Sequence, residues 1–366
     1  NAMLTVRSPA VFRPERILPI TLLTLTLGCQ SQESTQVSTG PDGTDAGGEA
    51  AFSFEEVVPG IFHARGTGSM SVGSHGAIVV NDDELLLVDS HISPAAARAI
   101  LSQAESLTGK AVGYVVNTHF HFDHAHGNQV YPQDVHVIGH EFTRDRLMDG
   151  GSVGRSYQSF VGTLPEQIVR LEAELENTAE GESREEVASR LAFLQQYWEE
   201  QQDVVPTGPN TTLSERLTLF RGDREIQLLF FGRGHTGGDV VVFLPQERVL
   251  ITGDLLVPSL PYMGDGYLAE WIETLENLKS LDFEWVLPGH GNPFSGKERI
   301  DWLQAYMRDL DAQARALYEQ GLGFEEAAQR IDMTSHAEHY PQITGPGVPT
   351  VVVQRIWDLL NGDDVS

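Results

Sequence analysis

The stretch Thr118-His119-Phe120-His121-Phe122-Asp123-His124 places three imidazoles and a carboxylate within six consecutive positions, His119 to His124. An apolar run, Ala111 to Val116, leads into it and predicts a buried strand that ends at Asn117. The cluster is therefore expected at the carboxyl end of a strand, where open α/β sheets present their ligand sites. Imidazole and carboxylate are ligands that zinc accepts. A chance His-rich loop is the alternative interpretation.

Three further residues share this context and argue against chance. His235, Asp254 and His290 each follow an apolar predicted strand and stand beside glycine, which lets backbone and substrate come close. Together with the first cluster they make seven candidate ligands, enough for two cations if one carboxylate bridges. The predicted ligands of the first metal are His119, His121 and His235, those of the second metal are Asp123, His124 and His290, and Asp254 is the predicted bridge.

This spaced set resembles the metallo-β-lactamase superfamily. The residues that carry the match are Thr118 to His124, Gly127-Asn128, Gly234-His235-Thr236-Gly237, Gly253-Asp254 and Pro288-Gly289-His290-Gly291. Their order and spacing agree along about residues 53–295. The resemblance implies an αββα sandwich, in which two mixed β-sheets are flanked by helices and the metals lie at one edge of the sheets.

The alternation of predicted strands and helices independently indicates an α/β protein. Phe52 to Ala64 is predicted as a strand, and Ser93 is predicted to cap a helix that has Pro94 at its first position. A catalytic domain is predicted over residues 52–295, and residues 296–366 are predicted as a helical C-terminal extension.

Residues 150–210 break this pattern and predict a helical hairpin inserted between two β-rich halves. Its second helix is predicted to begin with a capping box at Ser183 to Glu186. The insert is interpreted either as a packing or dimerisation element or as a wall or lid over the metal cleft.

The N-terminal segment has the pattern of an export signal. Asn1-Ala2 before Met3 resembles an expression remnant, and three arginines then precede the apolar run Ile17 to Leu27, which is too short to span a bilayer as a mature helix. Gly28-Cys29 resembles a bacterial lipobox, although Thr26 stands where that motif prefers leucine. Residues 1–29 are therefore predicted to be a lipoprotein signal, with ordinary signal cleavage as the alternative.

Composition restricts the location and the partners. Residues 30–51 are mostly small and polar and predict a flexible tether, so a periplasmic or membrane-anchored bacterial lipoprotein attached through Cys29 is expected. Because Cys29 is the only cysteine, no disulfide is expected. The formal net charge of −28 would repel phosphate backbones, so the expected partner is a small molecule rather than a nucleic acid. The oligomeric state stays open.

The ligand set predicts a hydrolase that uses two Zn²⁺ ions. Two divalent cations about 3.5–4 Å apart lower the pKa of a shared water, so that hydroxide forms near neutral pH and attacks a carbonyl carbon. The first metal stabilises the oxyanion. A proton is passed to the leaving group by Asp123, the predicted catalytic residue, or alternatively by metal-bound water. Gly150 to Gly154 has the spacing Gly-x-Ser-x-Gly, but a helix rather than a strand is predicted ahead of it, so it does not form a nucleophile elbow and a serine nucleophile is not expected.

The substrate class follows only from the resemblance. Aspartate at position 254 resembles glyoxalase II and related lactone or ester hydrolases, whereas dedicated β-lactamases usually have cysteine or serine there. The expected substrate is a small ester, thioester, lactone or β-lactam. The alternatives are a metallo-β-lactamase proper, a mononuclear iron oxygenase of the persulfide dioxygenase type, and a metal-binding module without turnover. Iron or manganese is the alternative metal.

A few residues near the motifs are assigned weaker roles. Asp89, at a predicted strand end, is a candidate for orienting a ligand histidine. His126 is interpreted as an exposed residue, with a supporting role at the site as the alternative. Tyr262, Met263 and Tyr267 follow the predicted bridging aspartate and are candidate substrate contacts, with core packing as the alternative.

Overall fold

Residues 50–149 and 154–364 are described by the computed structural model. The strands of the first sheet are β1 (Phe52–Val58), β2 (Ile61–Gly66), β3 (Gly76–Val80), β4 (Leu85–Val88), β5 (Val112–Val116), β6 (His136–His140) and β7 (Thr211–Leu213). The strands of the second sheet are β8 (Arg216–Arg221), β9 (Arg224–Phe230), β10 (Val240–Leu244), β11 (Val249–Gly253), β12 (Trp285–Pro288) and β13 (Phe294–Ser295). The predicted signal with Cys29, and residues 30–49 of the predicted tether, lie outside the described residues.

Helices join and flank these strands. They are α1 (Pro94–Thr108), α2 (Phe122–Ala125), α3 (Glu141–Met148), α4 (Arg155–Phe160), α5 (Leu164–Asn177), α6 (Glu182–Gln202), α7 (Leu268–Leu278), α8 (Glu298–Glu319), α9 (Phe324–Arg330) and α10 (Thr350–Leu360). None of the helices in the described part of the chain combines the length and the hydropathy needed to cross a bilayer.

Both sheets are mixed, as expected. The first has the strand order β1 to β7, antiparallel as far as β4 and parallel from β4 to β7. The second has the order β13-β12-β11-β10-β9-β8, and its single parallel pair is β11 with β12. Strands that run in the same direction bring their carboxyl ends to one edge of a sheet. The predicted ligands follow β5, β11 and β12, and also β9, which runs in the same direction as β11 because both are antiparallel to β10.

The apolar residues form three layers of core, which confirms the αββα sandwich. Side chains such as Leu86 and Val242 fill the space between the two sheets. The outer face of the first sheet packs on α1 through residues such as Ile100. The outer face of the second sheet packs on α7, α8 and α10 through residues such as Trp271 and Val353. The C-terminal helices therefore share one core with the second sheet.

The sequence pattern predicts the start of one helix correctly, but it is wrong about one strand and about the start of another helix. Ser93 caps α1, its side chain accepting the N–H of Ala96 at 3.1 Å. Phe52 to Ala64 is two strands rather than one, because Gly60 turns the chain at φ 78°. The capping box at Ser183 does not form: the cap position is Gly181, two residues earlier, and α6 begins at Glu182 without a side-chain cap.

The structure also changes the end of the predicted tether and the content of the predicted insert. Ala51, predicted as the last residue of the tether, is buried, and its carbonyl accepts the N–H of Thr67 at 3.0 Å. The insert contains α5 and α6, and also the short α4 ahead of them, which the sequence pattern does not predict. Near the carboxyl end of α6, the side-chain amide of Gln201 donates to the carbonyl of Ile92 at 3.0 Å, so the insert packs against the first sheet's helical side.

Candidate metal centre

The site is built from loops that meet at one edge of the sandwich. The motif after β5 is joined to the second sheet by the N–H of Val240, which donates to the carbonyl of Thr118 at 2.8 Å. The loop after β12 is joined to the end of β11 by the N–H of Gly289, which donates to the carbonyl of Gly253 at 2.8 Å. These bonds fix the loops to one another before any side chain contributes.

Seven side chains gather at this edge in three overlapping groups. Within each group the ligand atoms lie within 4.8 Å of one another. The groups are His119, His121 and His235; His119, His124 and Asp254; and Asp123, His124 and His290. The structure thus brings together all seven residues predicted as metal ligands.

Asp89 organises two of these imidazoles. His124 Nδ1–H donates to Asp89 Oδ2 at 2.7 Å, which confirms the predicted orienting contact. The Thr118 hydroxyl donates to the same carboxylate at 3.0 Å and accepts from His119 Nδ1–H at 3.0 Å. This network assigns the Nδ1–H tautomer to both rings and leaves each Nε2 with a free lone pair.

Asp265 performs the same task for His121. His121 Nε2–H donates to Asp265 Oδ2 at 3.1 Å, so the lone pair of His121 is on Nδ1. That nitrogen lies 3.0 Å from His235 Nε2. The separation is close to the ~3.3 Å expected between nitrogen ligands that lie 2.0–2.1 Å from one tetrahedral cation.

The carboxylates lie among the remaining ligand atoms. His290 Nε2 is 3.0 Å from Asp123 Oδ2 and 3.4 Å from Asp254 Oδ2. The two oxygens of Asp254 face different imidazoles: Oδ1 is 3.6 Å from His124 Nε2, and Oδ2 is 3.7 Å from His235 Nε2. Asp254 therefore lies between the two predicted sets of ligands, the position that a bridging carboxylate needs.

The donor set fits divalent metal ions. His119 Nε2, His124 Nε2 and Asp254 Oδ1 are buried and have no hydrogen-bond partner. Buried polar atoms are rarely left unpaired, because the desolvation of each costs about 1–3 kcal/mol. All three point into the cluster, and a cation would satisfy them together.

The charge balance leads to the same conclusion. Burial lowers the pKa of His235 to about 3 and holds the pKa of His119 well below its usual value. Burial opposes ionisation of Asp123 and Asp254, but the neighbouring imidazoles outweigh it and hold both pKa values below the usual range. Burial also lowers the pKa of His124, but the surrounding carboxylates raise it well above normal. Neutral imidazoles and ionised carboxylates are the forms that bind a metal, so a cation would take the place of the proton on His124.

The backbone conformation at two positions allows the loops that carry the candidate ligands to pack closely together. Gly253 has φ 52°, and a Cβ there would lie 2.4 Å from Thr118 Oγ1. Asp89 is a non-glycine residue at φ 68°, an unfavourable conformation that costs about 1–3 kcal/mol. The hydrogen bonds that Asp89 accepts from Thr118 and His124 hold it there.

The loop that carries His290 is held by two more histidines. His75 Nδ1 is 2.9 Å from the carbonyl of Gly291, and His63 Nε2 is 3.4 Å from the carbonyl of Pro288. Burial lowers the pKa of each ring to about 4, so both stay neutral and donate to these carbonyls. Neither histidine belongs to a sequence motif that indicates this role.

Asp265 and Asp239 are supporting residues that sequence reasoning missed. Asp239 accepts from the N–H and the hydroxyl of Thr236, at 2.9 Å and 2.7 Å, and so fixes the loop of His235. Asp265 stands between two glycines, as an acid beside glycine in the same way as Asp254. This similarity to Asp254 is the sequence feature that could have identified Asp265.

The residues assigned weaker roles are placed differently from one another. The ring of Tyr262 lies 5.9 Å from that of His121. Met263 is buried in the core, and Tyr267 is buried beneath the guanidinium of Arg233, so packing accounts for both. His126 is also buried, which corrects its interpretation as an exposed residue.

Replacing Asp89 by asparagine should weaken metal binding about 10–100-fold, the usual cost of losing a carboxylate that orients ligand imidazoles. The new side chain could still accept from Thr118, but its amide would place N–H groups against His124 Nδ1–H. Competition with a chromophoric chelator measures the affinity. Asp83→Asn, on an exposed turn, is the matched control, and an affinity for Asp89→Asn within twofold of that control would contradict the assignment.

Gly289→Ala should lower the metal affinity about tenfold or more for a steric reason. A Cβ at this position would lie 2.5 Å from Asp254 Oδ1 and 2.7 Å from His124 Cε1, so the ligands must shift. Gly345→Ala is the control, since a Cβ there meets no atom within 4 Å. Metal retained after dialysis is the measurement, and equal retention by both variants would refute the close packing of Gly289 against the ligands.

A sandwich of two mixed sheets with a His/Asp cluster at one edge defines a class of metal-dependent hydrolases. The chain belongs to the metallo-β-lactamase superfamily, whose family model matches residues 72–290. This match confirms the resemblance carried by the sequence motifs.

The individual proteins that match this chain share only a low sequence identity with it. A linear primary-alkylsulfatase from Pseudomonas sp. (strain ATCC 19151) is 25% identical over 280 residues, which are 70% of this chain and 49% of that protein. The chain thus spans about half the length of this relative. A metallo-β-lactamase from Pontibacter korlensis is 19% identical with a TM-score of 0.50, covering 70% of this chain and 99% of that one. The metallo-β-lactamase FIM-1 from Pseudomonas aeruginosa is 16% identical with a TM-score of 0.51, covering 71% and 96%. At these identities the solved structures show the fold alone.

Proposed function

We propose that the chain is a zinc-dependent hydrolase that acts on the carbonyl group of a small ester, thioester, lactone or β-lactam. The observation that carries this proposal is the convergence of buried, unpaired donor atoms on one cluster, above all His119 Nε2, His124 Nε2 and Asp254 Oδ1. When bound, two divalent cations would lower the pKa of water and polarise the carbonyl oxygen.

The protein residues have separate roles in this proposal. His119, His121 and His235 would hold one cation, with Asp265 fixing the ring of His121. Asp123, His124 and His290 would hold the other, and Asp254 would bridge the two.

The open side of the site is where Asp123 and His290 lie. Their side chains are 14% and 41% exposed, whereas the side chains of His124 and His235 are fully buried. A substrate would therefore arrive from this side. Asp123 Oδ2 would be the protein group best placed to carry a proton to the leaving group, because it is both ionised and reachable from solvent.

A substrate panel tests the proposal. The zinc-loaded protein is assayed with nitrocefin, an acyl-homoserine lactone, a thioester and p-nitrophenyl acetate, before and after treatment with a chelator. We expect zinc-dependent hydrolysis of at least one of these carbonyl compounds. No hydrolysis of any of them would overturn the proposal, and an iron-dependent consumption of O₂ with a persulfide would favour an oxygenase instead.

A sulfate ester is the second candidate substrate. The supporting observation is the match over 280 residues to a linear primary-alkylsulfatase. A linear primary alkyl sulfate therefore belongs in the same panel. Release of sulfate from it, with no turnover of the carbonyl compounds, would favour this candidate over the first.

We also propose that the protein is exported and anchored through Cys29, as the sequence pattern indicates. Expression of the full chain in a bacterium with labelled palmitate tests this. The label should be incorporated into the protein and lost in Cys29→Ala, and an unlabelled cytoplasmic product would contradict export and anchoring.

A further inference from the structure

A continuous series of aromatic rings leads from the metal cluster to the protein surface. The ring of Tyr262 lies 5.9 Å from that of His121, the ring of Phe160 lies 5.9 Å from that of Tyr262, and the ring of Phe122 lies 6.2 Å from that of Phe160. We refer to Phe122, Phe160 and Tyr262 as the aromatic wall. These centroid separations are typical of packed aromatic pairs.

Three different segments build the aromatic wall. Phe122 belongs to the metal motif, and Tyr262 follows the end of β11. Phe160 is the last residue of α4, which the insert contributes. The insert therefore adds an apolar surface to the metal site that the two sheets do not supply by themselves.

Hydrogen bonds fix α4 relative to the metal cluster. The N–H of Ser156 donates to Asp265 Oδ2 at 3.2 Å, and the same oxygen accepts from His121 Nε2–H. Arg155 Nη2 donates to Asp358 Oδ2 on α10 at 2.6 Å. One carboxylate thus positions both a candidate metal ligand and the helix that presents Phe160.

Phe160 is the most exposed residue of the aromatic wall. It is 46% exposed, and its ring contacts that of Tyr262, which in turn contacts the ring of the candidate ligand His121. Phe193 and Phe220 are also exposed, but neither has a ring contact with the aromatic wall among the described residues. An apolar surface next to a candidate active site is suited to cover an apolar part of a ligand.

We propose that the aromatic wall binds the hydrocarbon part of the substrate, so that the preferred substrates carry an alkyl or aryl group of several carbons next to the scissile bond. The proposal rests on the hydrolase function proposed above and names its substrate class. Phe160 and the half-buried Tyr262 offer the accessible apolar faces, and the buried Phe122 supports Phe160 from the core. The cation of α4, Arg155, is paired with Asp358. Alkyl chains gain from such contact in proportion to the area they bury.

A chain-length series tests the proposal with the zinc-loaded full chain. From p-nitrophenyl acetate through butyrate to hexanoate, we expect kcat/KM to rise about two- to fourfold per added methylene, which corresponds to partial to full burial of each CH₂. Phe160→Ala should lower the hexanoate-to-acetate ratio of kcat/KM about tenfold, mainly through KM. Phe193→Ala, another exposed phenylalanine of the insert, is the matched control and should keep the wild-type ratio. A flat series, or equal ratios in both variants, would overturn the proposal.

Binding of a product analogue separates this proposal from the hydrolase function. Calorimetry with the zinc-loaded protein should show that octanoate binds at least about tenfold more tightly than acetate, and that Phe160→Ala removes most of the difference. If octanoate binds in this way while no ester is hydrolysed, the aromatic wall stands and the hydrolase function fails. If esters are hydrolysed while octanoate and acetate bind equally, the aromatic wall fails and the hydrolase function stands.

Discussion

His121→Ala is expected to lower kcat/KM by at least about 10³-fold while the protein remains folded. The variant loses a predicted ligand of the first cation, and with it several kcal/mol of transition-state stabilisation. The cavity opens in a polar cluster rather than in an apolar core, and Asp265 keeps the N–H of Ser156 as a donor. Steady-state kinetics of the zinc-loaded variant, with thermal unfolding followed by circular dichroism, is the measurement.

His136→Ala is the matched control for this experiment. His136 is exposed on β6 and stacks on Tyr114 with ring centroids 5.3 Å apart, away from the seven candidate ligands. We expect activity within about twofold of wild type for this variant, as for most surface substitutions. Wild-type activity in His121→Ala would show that His121 has no part in the chemistry.

Removing metal is expected to have the second large effect, this time on stability. Without cations, the buried carboxylates Asp123 and Asp254 and the unpaired imidazole nitrogens lose their common partner. Free metal at a thousand times its Kd stabilises the folded state by about 4 kcal/mol. For a domain of this size, that corresponds to a melting temperature on the order of 5–10 °C higher than that of the metal-free protein.

Thermal unfolding after dialysis against a chelator, and again after zinc is restored, measures this difference. Magnesium at the same concentration is the control cation, because it prefers oxygen ligands and should not replace zinc in an imidazole-rich site. Identical melting curves in all conditions would mean that the cluster does not bind zinc.

The layers of the fold were predictable because they depend on short-range patterns. Apolar runs such as Val112–Val116 show a buried strand directly, and the Ser93-Pro94 pair shows a helix start. The prediction at Ser183 was wrong because the signature S-x-x-E is local, while the observed cap position is two residues earlier, at Gly181. Short elements such as β7 and α4 carry too few residues for any periodicity to be seen.

The supporting residues of the site were harder to predict for a different reason. The close spacing of His119 to His124 identifies them as candidate ligands, but Asp265 contacts His121 from a position 144 residues away in the sequence. Likewise, Ser156 and Asp265 meet only because the insert folds back over the site. Such contacts depend on the packing of distant segments, and a single sequence shows their members only as isolated polar residues.

Two transition-metal ions are expected among the seven side chains at one edge of the sandwich, and the proposed hydrolase chemistry requires both of them. Anomalous diffraction at the zinc absorption edge from crystals of the zinc-loaded protein tests this most directly. We expect two strong peaks about 3.5–4 Å apart, one against His119, His121 and His235 and the other against Asp123, His124 and His290, with Asp254 between them. The absence of peaks among these residues, with zinc bound elsewhere or nowhere, would contradict the account.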